Sequence, residues 1–552
     1  MSVDCVTFTC PAEKPESNSF VIDGKRSATG KPLLENDPHL HVQMPGMWYE
    51  THLSAGSMDV AGVTIPGLPF IIIGHNRQIS WGVTNLYADT QDLYIEDIDA
   101  KNRNRYRLGD QWYDMHVDKL LVYVRGGDPA RVRSRWTIHG PVITQDVTGF
   151  PATVSLAWTG YFGGRSTRAF YEINRAADFT AFQNAVAEFD APSQNFIYAD
   201  TSGNIGYAAS GSVPMRRYHS GLFPVVGSEP RFQWAEFIDR KSRPFLYNPR
   251  KGYVITANDR VSDDPHFRFS LEYGGTFRAA RIEHLLLTKE KYDRADLQAI
   301  QADVFSQESE LYRPHWEALK ARADGSERKA LDLLLGWKGT LDGSPAAMLF
   351  EAFRVRLAEN ALKDDMGDLY EEFLKCQGER VVGALALLDR PDSKWWDDTR
   401  TPQIERMDDI IARSLVESYD ALRSKLGDTA RWRWPAEHRL TLAHVLGFAK
   451  PLSSFFNRGP FERPGDGETV NKADYSFESP YGVTATASWR VIMDASNWDA
   501  SVSIMPSGQS GHPLSTNYSD QAEMFLRGDC KPMPFSKVAV EKAARSRLQF
   551  AR

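Results

Sequence analysis

The hydrophobic periodicity of this chain changes twice, and that order constrains the fold more than any single motif. From Ser17 to about Gly211, short apolar runs with strand-like spacing alternate with turn residues. From Ala279 to about Leu426 the apolar residues recur at helical spacing, and at Thr484 to Met493 and Ser501 to Met505 strand character returns. Strands interrupted by a long helical stretch and then resumed are expected to form layers on one core rather than separable beads. The 552 residues alone suggest two to four domains. No repeat, low-complexity tract or long Pro/Ser linker marks a division, and the only clear boundary is near Ser17.

Local signals refine this pattern. Leu68 to Ile73 and Ile79 to Val83 flank His75-Asn76-Arg77-Gln78, which reads as a hairpin. Lys119 to Arg125 and Arg131 to Ile138 are separated by Gly126-Gly127-Asp128-Pro129, a second hairpin; Asn195 to Asp200 and Asn204 to Ala209 form a third around Ser202-Gly203. Ser166 to Phe189 carries Phe170, Ile173, Phe179, Phe182 and Val186 at helical spacing. Asp293 is a plausible N-cap for a helix with Leu297, Ile300 and Val304 on one face.

Composition narrows the function classes. With a net charge of −7 and no basic block, nucleic acid is not an expected partner. No apolar run approaches the roughly 18 residues of a membrane span. The four cysteines, Cys5, Cys10, Cys376 and Cys530, are too few for a disulfide scaffold and show no C-x-x-C spacing. Cys5 and Cys10 are close enough in sequence to pair, although incidental thiols are the simpler reading. Met1 to Glu16 lacks the basic and apolar regions of a secretory signal and reads as a leader or spacer remnant.

Common hydrolase signatures fail: there is no H-E-x-x-H, no P-loop and no G-x-S-x-G elbow. Ser510, in Gly508-Gln509-Ser510-Gly511-His512, falls one residue short of the elbow and reads as a turn. A different series is present. It begins with Ser17-Asn18-Ser19-Phe20-Val21-Ile22, Asn36-Asp37-Pro38-His39-Leu40, Trp48-Tyr49-Glu50 and Pro66-Gly67-Leu68-Pro69. It continues with Gly74-His75-Asn76, Ile79-Ser80-Trp81-Gly82-Val83-Thr84-Asn85 and Asp89-x-x-Asp92, then Tyr198-Ala199-Asp200, Gly203-Asn204-Ile205-Gly206-Tyr207 and Thr256-Ala257-Asn258. Gly274-Gly275 with Arg278, Asn457-Arg458-Gly459-Pro460, Gly465-Asp466-Gly467 and the Ser510 turn complete it. Each motif alone is weak. Together, in this order from Ser17 to about Gln521, they resemble the β-chain of penicillin acylases, which are N-terminal-nucleophile (Ntn) hydrolases.

The resemblance implies an α+β fold, a four-layer αββα sandwich with antiparallel sheets, with residues 17–552 as the catalytic chain and a largely helical part at about 279–426. It makes Ser17 the nucleophile. A serine hydroxyl needs a base; in this family the base is the serine's own α-amino group acting through a water, and an α-amine with a pKa near 8 keeps a neutral fraction at neutral pH. That role requires cleavage of the Glu16–Ser17 bond. An oxyanion hole is needed as well, and the resemblance assigns it to the Asn258 side-chain amide and the Asn85 backbone N–H. It places His39 beside the nucleophile's amine and gives Arg278 the task of orienting Asn258 and the substrate. The plain alternatives are a loop serine, turn or strand-end asparagines, a loop histidine and a solvated arginine at a helix start.

Asp89 and Asp92 resemble β-chain ligands of a structural Ca2+ ion, with the Gln91 carbonyl between them and Asp264 as a weaker candidate; calcium takes six to eight oxygens. In the family one further ligand is a glutamate of the α-chain. Family precursors carry a signal peptide, an α-chain and a spacer before the serine, where this sequence has Met1 to Glu16. An α-chain partner, making a heterodimer, is therefore expected as a separate polypeptide, unless the reading frame is truncated or the chain is a degenerate remnant. The surface it would cover is expected to be apolar. The expected reaction is hydrolysis of an N-acylated small molecule, a β-lactam or an acyl-homoserine lactone, in the periplasm or outside the cell. The rivals are a non-catalytic protein of the same fold and a conventional serine hydrolase using Ser510.

Overall fold

The structure is a computed structural model and describes residues 15–144, 152–264, 269–271, 273–375 and 386–550. Two antiparallel sheets meet face to face. The eight-stranded sheet runs Tyr253–Thr256, Glu16–Ile22, Leu33–His41, Arg490–Asp494, Val502–Ile504 and Lys531–Pro532, with Val483–Ala487 also pairing Leu33–His41 and carrying Ala473–Tyr475. The seven-stranded sheet runs Phe245–Tyr247, Ile205–Ala209, Gln194–Asp200, Ile79–Asn85, Ile73–Asn76, Met58–Thr64 and Tyr49–Ala55. Strands from both ends of the chain thus close one sheet, as the returning strand pattern implied.

Alternation along Glu16–Ile22 sorts its residues between two cores. Val21 joins Leu34, Trp81, Val83 and Val491 between the sheets, while Phe20 and Ile22 pack outward against Ile282, Leu286, Leu297 and Ile300. The latter residues belong to helices Phe277–Leu286 and Arg294–Gln301. Helices Ser166–Ile173 and Phe179–Ala187 cover the other sheet, where the Phe182 ring lies 5.0 Å from Tyr198 and 6.2 Å from Phe196. The order helix, sheet, sheet, helix is the αββα sandwich of an α+β protein. Asn36 staples the two sheets: its Oδ1 accepts from Val83 N (2.8 Å), and its Nδ2 donates to Asn18 O (2.7 Å) and Val83 O (3.2 Å).

The helical stretch after Gln301 has its own apolar cluster. Helices Pro345–Met366 and Met407–Leu426 bury Phe350, Phe353, Ile411 and Leu415 against Trp316, Trp432 and Trp434. A buried ion cluster ties it to the sheet region: Arg354 meets Glu308 (2.8 Å), Glu351 (3.0 Å) and Asp466 (2.9 Å).

The three hairpins form as Ile73–Asn76 with Ile79–Asn85, His116–Val122 with Ala130–Trp136, and Gln194–Asp200 with Ile205–Ala209. Asp293 caps its helix in a capping box: its side chain accepts from the Asp296 backbone N–H, and the Asp296 side chain accepts from the Asp293 backbone N–H. One expectation fails. Leu68 to Ile73 is not a strand; only Ile73 enters one. Pro69 has no N–H to give a ladder, and the Asn174 side chain takes both backbone groups of Ile71, accepting from its N and donating to its O (each 2.8 Å). The segment Ser166 to Phe189 is two helices, because Asp178 recaps the second one by accepting from Ala181 N (2.8 Å). The strand pattern at Thr484 to Met493 is likewise two strands. Cys5, Cys10 and Cys376 lie outside the described residues, and no helix among the described residues is long and apolar enough to cross a membrane.

Candidate active site

Ser17 is the second residue of its strand, paired with Pro38 across from it. Ser17, Ser19 and Val21 share the face turned to the other sheet. Beside Ser17 opens a cavity of about 440 Å³ lined by Leu40, Trp48, Phe70, Ile72, Phe189 and Asn85. Its wall is largely aliphatic and aromatic, suited to an apolar acyl group. The Ser17 backbone N–H donates to Asn258 Oδ1 at 2.7 Å, and the Ser17 hydroxyl donates to Glu16 O at 2.5 Å.

Asn258 follows the strand Tyr253–Thr256 and adopts φ +69°, a conformation that asparagine tolerates better than most residues. Its Nδ2 donates to Asn85 O (2.9 Å), and its Oδ1 also accepts from Arg278 Nη2 (3.1 Å). A side chain at Gly274 would press on it: a Cβ there would lie 3.2 Å from Asn258 Cβ. Arg278 is not a solvated residue at a helix start. It is fully buried and also donates to Ser17 O (3.1 Å), Asn18 Oδ1 (2.7 Å) and Glu16 Oε2 (2.6 Å).

Alternation sends Glu16 to the opposite face of the strand from Ser17, into a buried charge cluster. Its carboxylate pairs with Arg278 and with Lys472 Nζ, and the buried phenol of Tyr87 lies beside it. Burial alone would raise the Glu16 pKa, but the two cations override it and hold the carboxyl at about 2. Burial and the facing Glu16 push Glu468 up to about 8, so it is mostly protonated at neutral pH.

His39 sits one ladder position from Ser17. It is the cross-strand partner of Glu16, and its Nε2 lies 3.0 Å from Asp37 Oδ1. Neither ring nitrogen hydrogen-bonds to Ser17; like Glu16, His39 alternates to the outer face of the sheet. Burial outweighs the Asp37 charge and lowers its pKa, leaving the ring neutral.

A model of the penicillin amidase family matches residues 5–542. The chain belongs to the penicillin amidase family. Among curated relatives, an acyl-homoserine lactone acylase of Pseudomonas fluorescens is 29% identical over 94% of this chain and 65% of its own length. The penicillin acylase 2 proenzyme of a Pseudomonas species is 28% identical over 96% and 69%, and the penicillin G acylase of Escherichia coli is 29% identical over 95% and 64%. The chain therefore spans about two thirds of the length of these relatives. A thermostable penicillin G acylase from Alcaligenes faecalis superposes with a TM-score of 0.76 at 23% identity, covering 97% of this chain and 99% of that one, which establishes the Ntn fold.

One expectation for this penicillin amidase family member changes. The Asp89, Gln91 and Asp92 oxygens are gathered, but around a guanidinium. Arg216 donates to Asp92 Oδ2 (2.7 Å), Asp89 O (3.1 Å) and Gln91 O (3.3 Å), and its Nη2 lies 3.1 Å from Asp89 Oδ1. Trp234 Nε1 donates to the same Asp92 oxygen. These residues do not fit a calcium ion, since the arginine already fills the space between them. No group of three or more His, Cys, Asp or Glu side chains that could hold a metal, with Asp264 or otherwise, occurs among the described residues. Ser510 sits in a turn where its Oγ accepts from the His512 N–H (3.1 Å), an acceptor's role that activates nothing. The neighbouring Gln509 clasps Glu50 N (2.9 Å) and O (3.2 Å), so that motif is structural.

Sequence reasoning passed over Lys472, Glu468 and Tyr87. A buried lysine has no local spacing that sets it apart from a solvated one.

Proposed function

We propose that this chain hydrolyses a linear amide of an N-acylated small molecule, of the penicillin or acyl-homoserine lactone kind, through an acyl ester on Ser17. The observation that carries the reading is the placement of Ser17, with its nitrogen on Asn258 and its hydroxyl at an apolar cavity of about 440 Å³. Cleavage of Glu16–Ser17 frees the α-amine. Through a water, that amine takes the hydroxyl proton as Oγ attacks the substrate carbonyl. The second N–H of the Asn258 amide and the Asn85 backbone N–H receive the developing oxyanion. The amine then gives the proton to the leaving nitrogen, the C–N bond breaks, and water hydrolyses the Ser17 ester by the same relay. His39 takes no direct part in this scheme and positions its strand.

An α-chain partner belongs to the proposal. Trp158, Tyr161, Phe162 and Phe237 form a partly exposed aromatic cluster, with Phe162 62% accessible and its ring 5.9 Å from that of Phe237. Such a surface suits a permanent partner. Maturation in the periplasm or outside the cell is part of the same proposal, and cell fractionation checks it. The test of activity compares wild type, Ser17→Ala and Ser510→Ala on phenylacetylated and long-chain acylated amides. The proposal requires that Ser17→Ala loses turnover and Ser510→Ala keeps it. Turnover surviving in Ser17→Ala, or absent in mature wild type, refutes it.

A further inference from the structure

The Glu16 carboxylate sits in a cage that the strand end builds for it. Arg278 and Lys472 are both at least nine-tenths buried and both pair with it, with Arg278 at 2.6 Å. If Glu16–Ser17 is cut as proposed above, this carboxylate loses its tether while its two cations stay behind. The leaving nitrogen of a substrate must come within hydrogen-bond reach of the Ser17 amine that protonates it, and the space beyond that amine is the space Glu16 fills. The acyl half has the apolar cavity on the other side of the strand. We propose that the Arg278–Lys472 cage vacated by Glu16 is an anion subsite for the leaving half, so that the preferred substrates are N-acyl amines bearing a carboxylate near the amide nitrogen. This rests on the Ser17 reading and selects, within it, carboxylate-bearing amines such as amino acids or β-lactam nuclei over neutral lactones. Asp474, 3.4 Å from Lys472, and Glu468, which both cations act on, are the acidic groups that compete for the cage once Glu16 leaves.

Two measurements decide it, and they fail separately. Truncating Glu16 to Ala removes a CH2–COO− unit, which free acetate replaces. In the full-length chain kept uncut by Ser17→Ala, adding Glu16→Ala should produce a melting temperature that rises with acetate over the millimolar range. The parent with Glu16 present, and Glu16→Ala with Lys472→Met, should not respond. A flat acetate titration of Glu16→Ala, matched by chloride, overturns the cage as an anion site. The second measurement uses wild type as it matures, with N-phenylacetylglycine and its methyl ester. The kcat/KM ratio is expected to favour the carboxylate by about tenfold or more, as for a charge-assisted hydrogen bond, and to fall toward one in Lys472→Met. Equal or better cleavage of the ester by wild type overturns the subsite while leaving the Ser17 mechanism standing. Cleavage of neither, with a positive acetate response, sinks the mechanism and keeps the anion site.

A separate observation carries a second inference. Arg216 satisfies Asp89, Gln91 and Asp92 with four contacts between 2.7 and 3.3 Å, and its side chain is only 8% accessible. We infer that this guanidinium replaces the expected calcium ion as the cross-link of that loop. EDTA and added Ca2+ should leave the melting temperature of wild type unchanged, whereas Arg216→Ala should lower it and make it respond to Ca2+. A wild-type melting temperature that EDTA lowers and Ca2+ restores overturns the inference, whether or not Arg216→Ala folds.

Discussion

Glu16 before cleavage is the most instructive residue to perturb, because its charge is measurable through stability. In a Ser17→Ala chain the Glu16–Ser17 bond stays intact, and Glu16→Gln then removes one negative charge from between two buried cations. The shift from an ordinary carboxyl pKa of 4.5 to about 2 corresponds to roughly 3 kcal/mol of native-state stabilisation. Breaking a buried ion pair by removing one partner falls in the same range, about 3 to 5 kcal/mol. Because the folded-state pKa is depressed, the stabilisation is full above the ordinary carboxyl value and is lost as pH falls through about 2. Unfolding entropy of about 2.1 cal/mol/K per residue turns this into a melting temperature lower by about 3 °C for a chain of 552 residues. Scanning calorimetry of Ser17→Ala with and without Glu16→Gln, from pH 7 to pH 3, measures it. The gap of about 3 °C at neutral pH should shrink to under half of that by pH 3. A gap that is absent, or that persists unchanged at low pH, refutes the assignment of Glu16 as the ionised partner of Arg278 and Lys472.

Three further outcomes follow from the same geometry. Asn258→Asp keeps a residue that tolerates φ +69° but removes the amide donor, and kcat should drop by about a hundredfold or more with the fold retained, read by steady-state kinetics and circular dichroism. Ile72→Phe fills part of the apolar cavity, so kcat/KM for long acyl chains should fall more than for short ones in a chain-length series. Gly74→Ala should destabilise by several kcal/mol in denaturant titrations, since its Cβ would lie 2.1 Å from Ala61 O.

Much of the layered fold was legible because alternation and helical spacing are local. Phe20, Val21 and Ile22 announce a strand buried on both faces, and Asp293 announces its helix. The failures are tertiary: at Ile71 the ladder is replaced by the side chain of Asn174, about a hundred residues away. For the site, the series of motifs pointed to Ser17, Asn258 and Arg278, which the fold brings within hydrogen-bond reach although Ser17 and Asn258 are 241 positions apart. The same series also contains residues with purely architectural work. His75 stacks on Trp498 at 4.4 Å, and Asp466 caps the turn at Glu468 and Thr469 while pairing with Arg354. The acidic pair at Asp89 and Asp92 was visible, but the Arg216 that joins it lies 124 positions from Asp92, so the identity of the cation was not.

The central claim is that Ser17 becomes an N-terminal nucleophile. Intact-mass spectrometry of the purified wild-type chain, before and after brief exposure to an activated acyl ester, tests it most directly. The account predicts a chain beginning at Ser17 that gains one acyl mass, removed by hydroxylamine and absent from Ser17→Ala. A chain that keeps Glu16 attached to Ser17, or an acyl group mapped to any other residue, would contradict it.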